Sequence, residues 1–178
     1  MNLELASMAI PMPAVLGHPN REAFRGVLTL VDTPSDKPPA GSRGHQVILT
    51  RAAAERALPS LLGMALDYSP SFDRHDARRK VGVITRAEIM GKELELSGYL
   101  YAKDFPEIVR QIGSGIIHAA ASPRRRLRNP LGMSYEIADA SVADVRAKIW
   151  TLTRVTFTGA AILRRDKAAY RDTWIELE

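Results

Sequence analysis

Val81-Gly82-Val83-Ile84-Thr85-Arg86-Ala87-Glu88-Ile89-Met90, then Gly91-Lys92, then Glu93-Leu94-Glu95-Leu96-Ser97-Gly98-Tyr99-Leu100-Tyr101: this stretch decides the fold. Strong β-formers flank a two-residue glycine turn, which reads as an antiparallel hairpin. Leu94 and Leu96 alternate with Glu93 and Glu95, so one face is expected toward a core and the other toward solvent.

C-terminal to the hairpin, Asp104-Phe105-Pro106-Glu107 reads as a helix start, with Asp104 as N-cap, Pro106 in the first turn and Glu107 at the capping-box position. Phe105, Ile108, Val109, Ile112 and Ile116 follow at helical spacing and predict a face packed on the core. A basic loop with Arg124, Arg125, Arg126 and Arg128 comes next. It leads to Leu131-Gly132-Met133-Ser134-Tyr135-Glu136-Ile137, where Met133, Tyr135 and Ile137 fall on one face of a strand and Ser134 and Glu136 on the other. Trp150 to Thr158 is a further strong strand that Gly159 to Leu163 continues or turns from, and the charged tail from Arg164 is expected to be partly helical.

N-terminal to the hairpin, Asp67 to Asp76 (DYSPSFDRHD) reads as a turn-rich loop that delivers His75 just before a strand. Thr50 is placed to N-cap a helix over Arg51 to Leu58, which Pro59 breaks or kinks. Gln46 to Leu49 and Phe24 to Val31 read as strands, joined by a Pro-, Gly- and Ser-rich loop over Asp32 to Gly44. Residues 1–23 are expected to form an extended arm, and 24–178 a single β-barrel domain. Strands come in hairpin-linked runs without β-α alternation, so the fold class is α+β: a mainly antiparallel sheet or barrel with a few surrounding helices.

Composition bounds the function. The chain has 178 residues, 46% hydrophobic and 25% charged, as in an ordinary globular domain. No apolar run approaches the roughly 18 residues of a membrane helix, and Met1-Asn2-Leu3-Glu4 lacks the basic start of a secretory leader. There is no cysteine, which excludes disulfides and thiolate chemistry and suits a cytoplasmic setting. The net charge of +5 admits an acidic partner. Nucleic acid is not expected, because aromatic residues are 6% and no stacking motif appears. A basic nucleic-acid-binding β-domain is the weaker alternative.

A serine on the cleft side of a core strand can act as a nucleophile if a base removes its proton. Ser134 is that candidate and His75 its base. The other histidines, His18, His45 and His118, form no H-x-x-x-H pair, so neither metal nor cofactor is expected. The G-x-S-x-G elbow, Walker A loop and G-x-G-x-x-G fingerprint are all absent.

Three blocks resemble the prohead (capsid maturation) proteases of tailed bacteriophages, a family related to the herpesvirus assemblin proteases. They are Ser71-Phe72-Asp73-Arg74-His75 before Val81-Gly82-Val83-Ile84, then Leu131 to Glu136, then Leu152-Thr153-Arg154-Val155-Thr156-Phe157-Thr158-Gly159-Ala160. The resemblance spans roughly residues 24 to 170. It implies an assemblin-like fold, with His75 as general base and Ser134 as nucleophile of a serine endopeptidase. It implies scaffold, the N-terminal region of the major capsid protein and the protease itself as substrates, a homodimer, and a place in the host cytoplasm inside the assembling procapsid. Two departures stand out. Arg154 occupies the family's acidic position, so Asp73, Asp76, Glu136 or Asp144 would have to supply the third member, or Arg154 assists the oxyanion. Tyr135-Glu136 stands where the family often has glycine and an aromatic residue. A non-catalytic scaffold or capsid-assembly protein on the same fold is the alternative, and the basic loop Arg124 to Arg128 a candidate dock for acidic scaffold segments.

Overall fold

The computed structural model describes residues 2–4, 6–7, 10–11, 17–117 and 130–178. His118 and the basic loop Arg124 to Arg128 lie outside the described residues, as does the side chain of Ile116.

The strands in chain order are β1 (Asn2–Glu4), β2 (Ala6–Ser7), β3 (Ile10–Pro11), β4 (Glu22–Leu30), β5 (Gln46–Leu49), β6 (Ala65–Tyr68), β7 (Lys80–Met90), β8 (Glu93–Leu100), β9 (Leu131–Val142), β10 (Ile149–Arg164) and β11 (Trp174–Leu177). Helix α1 (Arg51–Ala57) runs into a 3-10 turn over Leu58–Leu61, and α2 (Pro106–Ile117) follows β8. The main sheet runs β11-β4-β8-β7-β6-β10-β5, with β1 added to β7 and β9 to β10, while β2 and β3 pair separately. All pairings are antiparallel except β5 and β6 on β10. The fold is therefore α+β with a curled, mainly antiparallel sheet and two α-helices, as the hairpin pattern predicts. Helix α1 lies against β10 and α2 against β11.

The hairpin forms around Gly91, whose φ of +57° is the left-handed region that glycine reaches without strain. Leu94 and Leu96 are buried, while Glu93 and Glu95 are half-exposed. The core between sheet and helices contains Phe24, Leu28, Ile84, Leu96, Ile108 and Phe157. Thr50 caps α1 by accepting the Ala53 N–H at 3.2 Å.

Four sequence expectations need correction. Asp67 and Tyr68 are not loop: they belong to β6, a short strand held between β10 and β7. One neighbour on either side supplies the ladder that local propensity does not announce. The tail is not helical beyond Arg164, since it turns and returns as β11 along β4, burying Trp174 and Ile175. Asp104 does not cap α2; its carboxylate accepts the Asn20 side-chain amide at 2.8 Å, and Asn20 Oδ1 takes the Lys103 N–H at 2.7 Å. Glu107, expected in a capping box, accepts the Tyr68 hydroxyl at 3.0 Å.

Candidate active site

β10 organises the site because it carries neighbours on both edges. On one edge Ala161 pairs with Ser134 of β9, and on the other with Asp67 of β6. Ser134, Ala161 and Asp67 thus form a row across three adjacent strands, with side chains on one face. Glu136 lies two residues beyond Ser134 on that face, opposite Gly159. The middle strand offers only the small side chains of Ala161 and Gly159, which leaves a floor between the two outer columns. Gly159 is required there: a Cβ at this position would stand 2.9 Å from Glu136 Oε2 and 3.3 Å from the Ala65 carbonyl.

The loop after β6 brings His75 over this floor, and it is tied at several points. Asp73 takes the hydroxyls of Ser69 at 3.0 Å and Ser71 at 2.6 Å, which hold its carboxyl below the usual carboxylate range, the Ser71 bond most strongly. The Phe72 carbonyl accepts the Arg164 N–H at 2.7 Å, joining the loop to the end of β10. The Asp76 N–H donates to Asp67 Oδ1 at 3.1 Å.

So placed, His75 Nδ1 lies 3.1 Å from Glu136 Oε1. This is an ion-pair distance without hydrogen-bond alignment, for Nδ1 is buried and has no hydrogen-bond partner among the described residues. Asp67 is fully buried. Its carboxyl is pushed above the ordinary carboxylate range, first by desolvation and then by the Glu136 charge, against the Asp76 N–H, His75 and Lys80. Lys80 Nζ stands 3.5 Å from Asp67 Oδ2.

Ser134, His75 and Glu136 line one cleft of about 1200 Å³. Trp150 and His45, stacked at 4.5 Å between ring centroids, line the same cleft, as do Arg43 and Pro39. Ser134 is half-buried, and among the described residues no group hydrogen-bonds its hydroxyl. Catalytic hydrogen bonds are often long before substrate arrives, so the open hydroxyl leaves the chemistry available. The N-terminal end of β9 is fixed by the Thr173 hydroxyl, which accepts the Met133 N–H at 3.2 Å.

The remaining candidates fall elsewhere. Asp73 is engaged by its serines, and Asp76 faces Arg78 and Arg79. Asp144 caps the turn between β9 and β10 at the Arg146 N–H, 2.8 Å away. Arg154 of β10 is exposed, pairs with Ser141 of β9 and is not among the residues that line the cleft. Of the four carboxylates named from sequence, Glu136 is the one beside His75. Asp67 was missed, because nothing in the short run Ala65–Tyr68 marks its acid as buried.

The sequence matches no protein-family model, and it matches none of the curated proteins. Among solved structures, the Kaposi's sarcoma-associated herpesvirus protease with a hexapeptide phosphonate inhibitor aligns at TM-score 0.44 and 13% identity, over 80% of this chain and 59% of that one. The same viral protease with an allosteric inhibitor aligns at TM-score 0.44 and 12% identity, over 88% of this chain and 75% of that one. This is a likeness of shape at very low identity. The architecture assigned above rests on the chain's own strand pairings.

Proposed function

We propose that the cleft performs acyl transfer on peptide bonds, with Ser134 as nucleophile, His75 as general base and Glu136 as the carboxylate that orients the imidazole. The observation that carries this reading is the 3.1 Å approach of His75 Nδ1 to Glu136 Oε1, on the strand face that also presents Ser134. Once the Nδ1–H is turned onto it, a carboxylate at this distance holds the tautomer whose Nε2 accepts a proton and stabilises the imidazolium that forms. Glu136 does the work that the Arg154 position cannot, since a guanidinium would repel that imidazolium.

The resemblance of the three sequence blocks extends the proposal to a serine endopeptidase of tailed-phage procapsid maturation. It would cleave scaffold, the N-terminal region of the capsid protein and itself, within the assembling procapsid in the host cytoplasm, as a homodimer. One observation favours a second reading, a non-catalytic scaffold or capsid-assembly protein: the Ser134 hydroxyl has no hydrogen bond to His75.

The test is cleavage of a co-expressed scaffold–capsid substrate by wild type, Ser134→Ala, His75→Ala and Glu136→Gln, with folding checked by circular dichroism. Wild type is expected to cut. Ser134→Ala and His75→Ala are expected to be silent, and Glu136→Gln to lose roughly 10²–10⁴ in kcat. A folded wild type that never cuts, even when concentrated, would transfer the assignment to the assembly protein.

A further inference from the structure

Among the described residues, one histidine and two carboxylates converge on a common point at the cleft floor. Asp67, His75 and Glu136 each offer one ligand atom, all within 4.8 Å of one another. They come from β6, from the loop behind it and from β9, so no sequence spacing announces the cluster. Two features argue that it is unfinished. Two carboxylates face one imidazole, an arrangement that places like charges together. The buried Nδ1 of His75 stands 3.1 Å from a carboxylate oxygen yet has no hydrogen bond.

We propose that Asp67, His75 and Glu136 bind one divalent first-row cation of the zinc type, and that the bound cation switches the serine chemistry off. An imidazole nitrogen with carboxylate oxygens is a donor set that suits zinc. Zinc–ligand bonds of about 2.0–2.2 Å in a tetrahedral site set donors about 3.3–3.6 Å apart, so the three donors, now within 4.8 Å of one another, draw together by up to about 1.5 Å. The cation neutralises the paired carboxylates and gives Nδ1 a partner. Two groups already touch Asp67: the Asp76 N–H on Oδ1 and the Lys80 ammonium at 3.5 Å from Oδ2. Each carboxylate oxygen keeps a second lone pair, and Lys80, whose side chain is 37% exposed, has room to turn toward solvent.

The inhibition follows from the tautomer. An imidazole that gives its Nδ1 lone pair to a metal carries its proton on Nε2. It then has no lone pair left to accept the Ser134 proton. Binding stands independently of the proposed peptidase activity, whereas inhibition rests on it.

The experiment is calorimetric titration of the full chain with zinc chloride after chelator treatment, with cobalt absorption as a second probe. One ion per chain is expected in wild type. Affinity should fall at least ten-fold in His75→Ala, Glu136→Gln and Asp67→Asn, each checked for folding by circular dichroism; Asp67→Asn keeps an acceptor for the Asp76 N–H. Absence of binding overturns the site, as does binding that all three substitutions leave unchanged, which would place the ion at another histidine such as His45. In the cleavage assay, zinc at saturating concentration should stop wild type and chelator should restore it. Undiminished cleavage with the site filled overturns the switch. If the metal-free protein never cuts, the peptidase reading fails, while the titration alone still decides the site.

Discussion

At the scale of the residue, the site depends on what is missing at position 159. Glycine there lets the Glu136 carboxylate lie flat against β10, because a Cβ would approach Oε2 to 2.9 Å. The far end of Glu136 can move where backbone cannot, so Gly159→Ala is expected to displace the carboxylate rather than unfold the chain. The expected outcome is a kcat reduced about ten-fold or more with KM little changed, since about 1.4 kcal/mol of misplacement suffices. Steady-state kinetics beside a thermal melt check it. Ser134 and His75 could be named as candidates from the sequence because a period-two strand and a turn-rich loop each advertise a side chain aimed outward. Glu136 was legible only as one of four carboxylates, because choosing among them requires knowing which strands are neighbours. Asp67 was not legible as part of the site. An acid beside a proline- and serine-rich loop reads as solvated, and only the flanking strands reveal it as buried.

At the scale of the element, the β7–β8 hairpin was legible because its turn and its alternation agree. β6 and β11 were not, since each is short and owes its state to partners distant in sequence. Two of the hairpin's three glycines have different duties. Gly91 sits at positive φ, and a Cβ added there would meet nothing within 4 Å, so Gly91→Asn should be tolerated, asparagine being the residue that best shares that region. Gly98 faces the opposite case: a Cβ would stand 2.0 Å from the Val83 carbonyl, a backbone atom locked in the ladder. Gly98→Ala is therefore expected to cost about 1–3 kcal/mol or more by forcing the strands apart. Urea unfolding of the two variants separates a turn requirement from a close approach. An equal loss in both would remove the distinction.

At the scale of the whole molecule, what matters is how the two ends of the sheet come together. β11 begins the strand order, and β9 hangs from β10 near its other end. Yet Gly26 of β4 lies where an added Cβ would meet both the Trp174 carbonyl and Met133 Sδ, so the sheet has curled until β9 covers β4 and β11. A buried contact crosses this seam, and an exposed ion pair lies beside it within the β4–β11 pair. Beside the seam, Arg25 of β4 meets its register partner Glu176 of β11 at 2.7 Å, with the arginine side chain 46% exposed. Inside, the buried Thr173 hydroxyl accepts the Met133 N–H at 3.2 Å and donates to the Tyr170 carbonyl at 2.9 Å. The exposed ion pair is screened by solvent and contributes at most about 1 kcal/mol. Removing the hydroxyl strands a buried backbone N–H, which costs about 1–3 kcal/mol. Thr173→Val, which keeps the shape, is thus expected to lower the urea midpoint more than Arg25→Ala does, with the slope unchanged in both. Because Met133 adjoins Ser134, Thr173→Val should also reduce cleavage, whereas Arg25→Ala should leave it intact. A midpoint that falls further in Arg25→Ala would mean that the β4–β11 ion pair outweighs the buried hydroxyl, and that the strand of Ser134 does not depend on Thr173.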